Sequence, residues 1–249
     1  VEAVDEFLRD LAEHARVPAE KEVSELKAIA AEDGISDLQP WDSSYYSEKL
    51  KMQQFNLSQE ALKPYFPAPK ILQGLFSIVN RLYGIQVIER DAPVWHPDAH
   101  YFELEDQGQV IGGFYLDLYA RQGKRGGAWM SGFRSRMQTS DGLQKPICYM
   151  VGNFTPPVGS RPALLSHDEV ITLFHEFGHG LHHMLTEVDN IAVAGTHGVA
   201  WDAVELPSQF MECWAWDQES LDVLSEHIET QESLPAELLK ALLDARFFQ

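Results

Sequence analysis

Apolar residues recur at helical spacing from the first position. Val1, Val4, Leu8, Leu11 and Ala12 mark one helical face, and a second run begins after Pro18 and stops at Gly34. Further helical patterns cover about Ser43 to Phe55, where Asp42 can cap the first turn, and about Pro69 to Tyr83, ended by Gly84. From Ile85 the period changes. The stretches IQVIER, AHYFELE and QVIGGFYLDLYAR are rich in β-branched and aromatic residues, with a turn at Asp106-Gln107-Gly108. They predict a small, largely antiparallel sheet. A Gly- and Arg-rich loop from Arg121 to Arg136 follows, then a strand from Pro146 to Phe154 and a break at Pro156-Pro157.

After that break Ser166 or Asp168 can cap a helix running through DEVITLFHEFGHGLHHML. A second helix is expected over WDAVELPSQFMECWAW, with Pro207 either starting or bending it. Between them IAVAGT, residues 191 to 196, is β-prone and reads either as a strand able to pair with an extended peptide or as a plain connection. The closing LLKALLDARFFQ is helical in pattern up to Phe247 and Phe248 without a stop signal, and the chain opens without Met. We therefore expect a piece of a longer protein, of a mainly α class with a small antiparallel β-sheet.

Composition narrows the partners. Nineteen Lys plus Arg against 38 Asp plus Glu give a formal charge of -19, which repels phosphate backbones and anionic headgroups, so no nucleic acid and no membrane partner is expected. Only Cys148 and Cys213 are present, and they read as two buried thiols in a reducing, cytoplasmic setting. No stretch is long and apolar enough to span a bilayer, and the acidic, amphipathic start is unlike a signal peptide.

The chemistry lies in His175-Glu176-Phe177-Gly178-His179. On a helix, residues four apart lie about 40° apart around the axis, so the two imidazoles project from one face and can hold one metal ion. Glu176 sits at the edge of that face, where it can reach a metal-bound water as a general base. His182 reads as a supporting or core residue and His183 as exposed. One class of such sites takes a third histidine after a Gly at position 182, but the chain has His182 and Leu185. A carboxylate from the next helix is the other solution, with Asp202, Glu205 and Glu212 as candidates, and position alone does not select among them.

LFHEFGHGLHHML, AGTH and VELPSQFMECW, with GGFYLDLYARQGKRGGAW upstream, closely resemble the thimet oligopeptidase family of zinc peptidases. The resemblance covers most of the chain. It implies zinc ligands His175, His179 and Glu205, one Zn2+ per chain and Glu176 as the catalytic glutamate, with Glu212 either supporting the ligands or an ordinary helix residue. It also implies a zincin-like catalytic region within a larger helical, channelled, two-lobed peptidase that admits short unstructured peptides, here expected as a monomer. Residues 1–84 would be a helical scaffold and 85–249 the zinc-binding catalytic region. Family members are longer and carry, beyond the third ligand, a Gly- and Tyr-rich loop that contacts substrate. The expected activity is endopeptidase cleavage of oligopeptides, and the alternative is a zinc-binding but catalytically incompetent fragment. Whether Arg134 and Arg136 meet substrate or solvent is left open by sequence.

Overall fold

A computed structural model describes residues 1–248. In chain order it contains α1 (Glu2–Glu32), α2 (Ser43–Phe55), α3 (Gln59–Leu62), α4 (Ala68–Tyr83), β1 (Gln86–Arg90), β2 (Ala99–Asp106), β3 (Gln109–Tyr119), β4 (Trp129–Arg134), β5 (Met137–Thr139), β6 (Gly142–Gln144), β7 (Ile147–Phe154), α5 (His167–Met184), α6 (Leu206–Glu212), α7 (Gln218–Leu224) and α8 (Ala236–Asp244). These elements form two compact units, Val1–Ala61 with the segment from Pro235 onward, and Leu62–Leu234. Among the described residues no helix is long and apolar enough to cross a membrane.

In the first unit the two expected helical runs before Gly34 are one 31-residue helix that passes through Pro18. Proline there removes one N–H donor, and because Pro18 is exposed, water can serve the carbonyl left over. Leu26, Ile29 and Ala30 at the end of α1 pack with Tyr46 and Leu50 of α2, joined by Leu38 and Phe248. The closing helical pattern is realised as α8 and a 3-10 turn, Ala245–Phe247, while Gln249 lies outside the described residues.

In the second unit α4 buries Ile71, Leu75, Ile78 and Val79 along one face and ends where Gly84 takes a left-handed φ of 74°. Gln107 and Gly108, with φ of 48° and 78°, make the tight turn between β2 and β3. The main sheet has the order β1-β2-β3-β7-β4 and is mixed, because β7 pairs parallel to β3 and antiparallel to β4. Three of the four pairings are antiparallel, as expected; the exception is β3 with β7, because β7, late in sequence, inserts between β3 and β4 and strand periodicity does not encode neighbour order. The loop expected from Arg121 to Arg136 holds β4 as an edge strand, and β5 and β6 form a separate hairpin.

One face of this sheet is covered by α5. Phe102 and Phe114 stack at 5.0 Å, and Phe177 of α5 meets Phe114 edge-on at 5.4 Å. Across the sheet, the buried Asp117 accepts from Trp95 Nε1 at 2.8 Å, from Arg121 at 2.6 and 2.7 Å and from Lys124 Nζ at 2.8 Å. Burial pushes its carboxyl up, but the Arg121, Lys124 and Trp95 hydrogen bonds outweigh that and hold it well below the usual carboxylate range. This knot fixes the chain between β3 and β4.

Candidate metal and catalytic site

The start of α5 sets the phase of its functional face. Ser166 Oγ accepts from the Glu169 amide at 3.2 Å and Glu169 Oε2 accepts from the Ser166 amide at 2.8 Å, a reciprocal cap that selects Ser166 over Asp168. Val170, Leu173, Phe174, Phe177 and Leu181 are then buried, which leaves His175 and His179 on the flank that meets α6. The two helices cross at Gly178, where a Cβ would come 2.5 Å from the Pro207 carbonyl oxygen. Pro207 begins α6 rather than bending it.

This crossing brings one carboxylate between the two imidazoles. Glu205 Oε2 lies 3.3 Å from His175 Nε2 and 3.1 Å from His179 Nε2, and one atom from each of the three residues falls within 4.8 Å of the others. Among the described residues this is the group whose donors converge well enough to hold a metal ion; Asp202 is not in it. Burial pushes the His179 imidazole down towards its neutral form, and the Ser208 hydroxyl, at 2.8 Å from Glu205 Oε2, holds the Glu205 carboxyl below its ordinary range. Neutral imidazoles and an ionised carboxylate are the donor states a divalent cation requires.

A second layer orients these groups. Glu212 Oε1 is 2.6 Å from His175 Nδ1, so a carboxylate holds the proton on Nδ1 and leaves Nε2 free to donate its lone pair. Sequence position had left Glu212 between a supporting and an ordinary role, and the structure puts its carboxylate in contact with the His175 ring. Ser208 was not anticipated, although its place three residues after Glu205 is the spacing at which a hydroxyl folds back over a helix start. Burial pushes the Glu176 carboxyl up, while the nearby His175 and a hydrogen bond from the Met130 amide pull it down.

Several expectations are corrected here. His183, read as exposed, is fully buried, with Nε2 at 3.0 Å from the Arg134 carbonyl, whereas His182 is half-buried. The helix carries buried residues on so wide an arc that His183 falls inside it. Cys213 is exposed, because it lies in the 3-10 turn after α6, and only Cys148 is buried. Residues 191–196 form turns, not a strand. Arg136 pairs with Asp189 at 2.6 Å and Arg134 Nε donates to the Lys145 carbonyl at 3.1 Å, so both arginines make structural ties.

The profile of "Peptidase family M3" matches residues 1–249. The chain belongs to this peptidase family. It is 56% identical over 248 residues to oligopeptidase A of Escherichia coli strain K12, covering 98% of this chain and 36% of that protein. Identity is 37% over 251 residues to dipeptidyl carboxypeptidase of the same organism, and 32% over 258 residues to saccharolysin of Saccharomyces cerevisiae, each match covering 36% of the relative. The chain thus spans about a third of the length of the curated relatives it matches.

Proposed function

We propose that this M3 family chain carries the catalytic region of a zinc-dependent, zincin-like endopeptidase that hydrolyses short unstructured oligopeptides in the cytoplasm. His175, His179 and Glu205 would hold one Zn2+, and Glu176 would act as general base. The observation that carries the reading is the convergence of His175, His179 and Glu205, with Glu176 on the same helix and partly withdrawn from water. The kinship with oligopeptidase A supports peptides as substrate.

Bound zinc supplies Lewis acidity, which polarises a peptide carbonyl and makes water acidic enough to react at neutral pH. Glu212 and Ser208 hold the side chains of His175 and Glu205, which would bind the ion. Glu176 takes a proton from the attacking water as its oxygen bonds to the scissile carbon. As the C–N bond breaks, Glu176 hands that proton to the leaving amine, so its charge is restored within one turnover.

A second reading, a zinc-binding chain without turnover, is favoured by the fact that the chain spans 36% of its E. coli relative. Zinc content and cleavage of a quenched oligopeptide, measured on wild type and Glu176→Gln, separate the two. One zinc per chain in both, with cleavage only in wild type, is the expected result. Zinc without cleavage in either selects the second reading, and absence of zinc from the wild type overturns both.

A further inference from the structure

We propose that the face of the main sheet turned away from α5 is a docking surface for an extended acidic peptide segment, one that carries an aromatic residue between two carboxylates. This surface is separate from the metal site and does not depend on the peptidase reading.

The two faces of the sheet differ in character. Through Phe76 and Phe177, α4 and α5 pack on the face that carries Phe102 and Phe114. On the other face, Tyr101 of β2 stands opposite Tyr115 of β3, which stands opposite Tyr149 of β7. Phe133 of β4 continues the row, and successive ring centroids lie 4.8, 5.5 and 5.2 Å apart. Trp95 joins it, 5.3 Å from Tyr115 and 5.5 Å from Tyr149. Trp95 is 50% exposed and Phe133 56%, so the row meets solvent. It is also ordered in advance, because the buried Asp117 accepts from the Trp95 indole at 2.8 Å. Rings already held in place lose little freedom when a ligand stacks on them.

Charge selects the partner. Residues 121–145 hold six Lys and Arg against one Asp, a net of +5 in a chain of -19, so the remainder carries -24. Arg121 and Lys124 are tied to Asp117, and Arg136 to Asp189. Arg125, Arg134 and Lys145 are exposed and, among the described residues, make no ion pair. Arg125 stacks over the Trp129 ring at 5.7 Å, and Asn153 pins its loop by donating to the Arg125 and Gly127 carbonyls, each at 2.7 Å. Arg134, at the far end of β4, is anchored through Nε on the Lys145 carbonyl. Cations without counter-charges beside an aromatic row suit carboxylates, while the negative charge of the rest of the molecule repels phosphate backbones.

Spacing sets the motif. Trp129 pairs with Val151 and Arg134 with Ile147, so the two arginines bracket four residue steps of β7, about 13 Å at 3.3 Å per step. In an extended peptide, residues i, i+2 and i+4 face the same way and the outer two are the same distance apart. An aromatic side chain at i+2 fits the cavity of about 400 Å³ lined by Trp95, Trp129 and Tyr149, with Asp or Glu at i and i+4 reaching Arg125 and Arg134.

Fluorescence anisotropy of labelled peptides tests this, on the Glu176→Gln chain so that none is cleaved. The probe is Glu-Ala-Tyr-Ala-Glu, compared with Glu-Ala-Ala-Ala-Glu, Lys-Ala-Tyr-Ala-Lys and a single-stranded hexathymidylate. The expected result is that the probe binds tightest and weakens as salt is added. Its affinity falls at least about 10-fold in Arg125→Glu/Arg134→Glu, which binds the Lys peptide instead. Equal binding of the peptide without Tyr, or no binding of the probe, overturns the proposal. Unchanged affinity in the double variant also overturns it, since a peptide held at the metal site would behave that way. Tighter binding of hexathymidylate overturns it in favour of nucleic acid. If the double variant does not fold, Arg125→Ala at an exposed position decides, with an expected weakening of about 5-fold.

Discussion

Cys148 and Cys213 have the same side chain and opposite chemistry. Burial pushes the Cys148 thiol far up, while Cys213 is open to solvent beside Glu212. Iodoacetamide on the native chain should label Cys213 and spare Cys148, with both labelled after denaturation, as read by peptide mass spectrometry. Asp117 gives a second test. Its folded carboxyl titrates below the unfolded value of about 3.9, so the stability it contributes is fully present above that pH and is lost as pH falls through the folded value. Asp117→Asn leaves Lys124, itself only 6% exposed, without its counter-charge and should cost about 3 kcal/mol or more in urea unfolding at pH 7. The same variant should flatten the loss of stability expected of the wild type below about pH 4.

Between elements the decisive contact is the crossing of α5 and α6. Gly178→Ala would drive a Cβ against the Pro207 backbone, which has no flexible end to move, so the helices must separate. We expect a loss of about 1–3 kcal/mol by chemical denaturation together with weakened zinc binding, because Glu205 departs with α6. On α1, Pro18→Ala restores one backbone donor at an exposed position and should stabilise that helix by up to about 3 kcal/mol, visible as slower amide exchange in the preceding turn. Periodicity placed α2, α4, β1, β2, β3, β7 and α5 closely, since each keeps one period over its whole length. It split α1 at Pro18 and missed β4. A proline is only a local cost to a long helix, and β4 gets its partner from β7 and its neighbours from α5, none of which is local in sequence.

For the chain as a whole, a bound ion adds its binding free energy to folding. Zinc at a thousand times its dissociation constant adds about 4 kcal/mol, so chelation should lower the melting temperature of the wild type measured by calorimetry. His175→Ala should abolish that response. The sequence by itself determined the helical class, the pair His175 and His179 with Glu176 beside them, and, through resemblance, Glu205 as the carboxylate to test. Those features are carried by spacing within one helix or by contiguous motifs. Tertiary structure alone decided that the sheet is mixed, that Glu212 and Ser208 hold the converging groups, and that His183 is buried against β4. Each of these joins residues tens of positions apart or depends on which side of a helix finds a neighbour, and no local pattern encodes that choice.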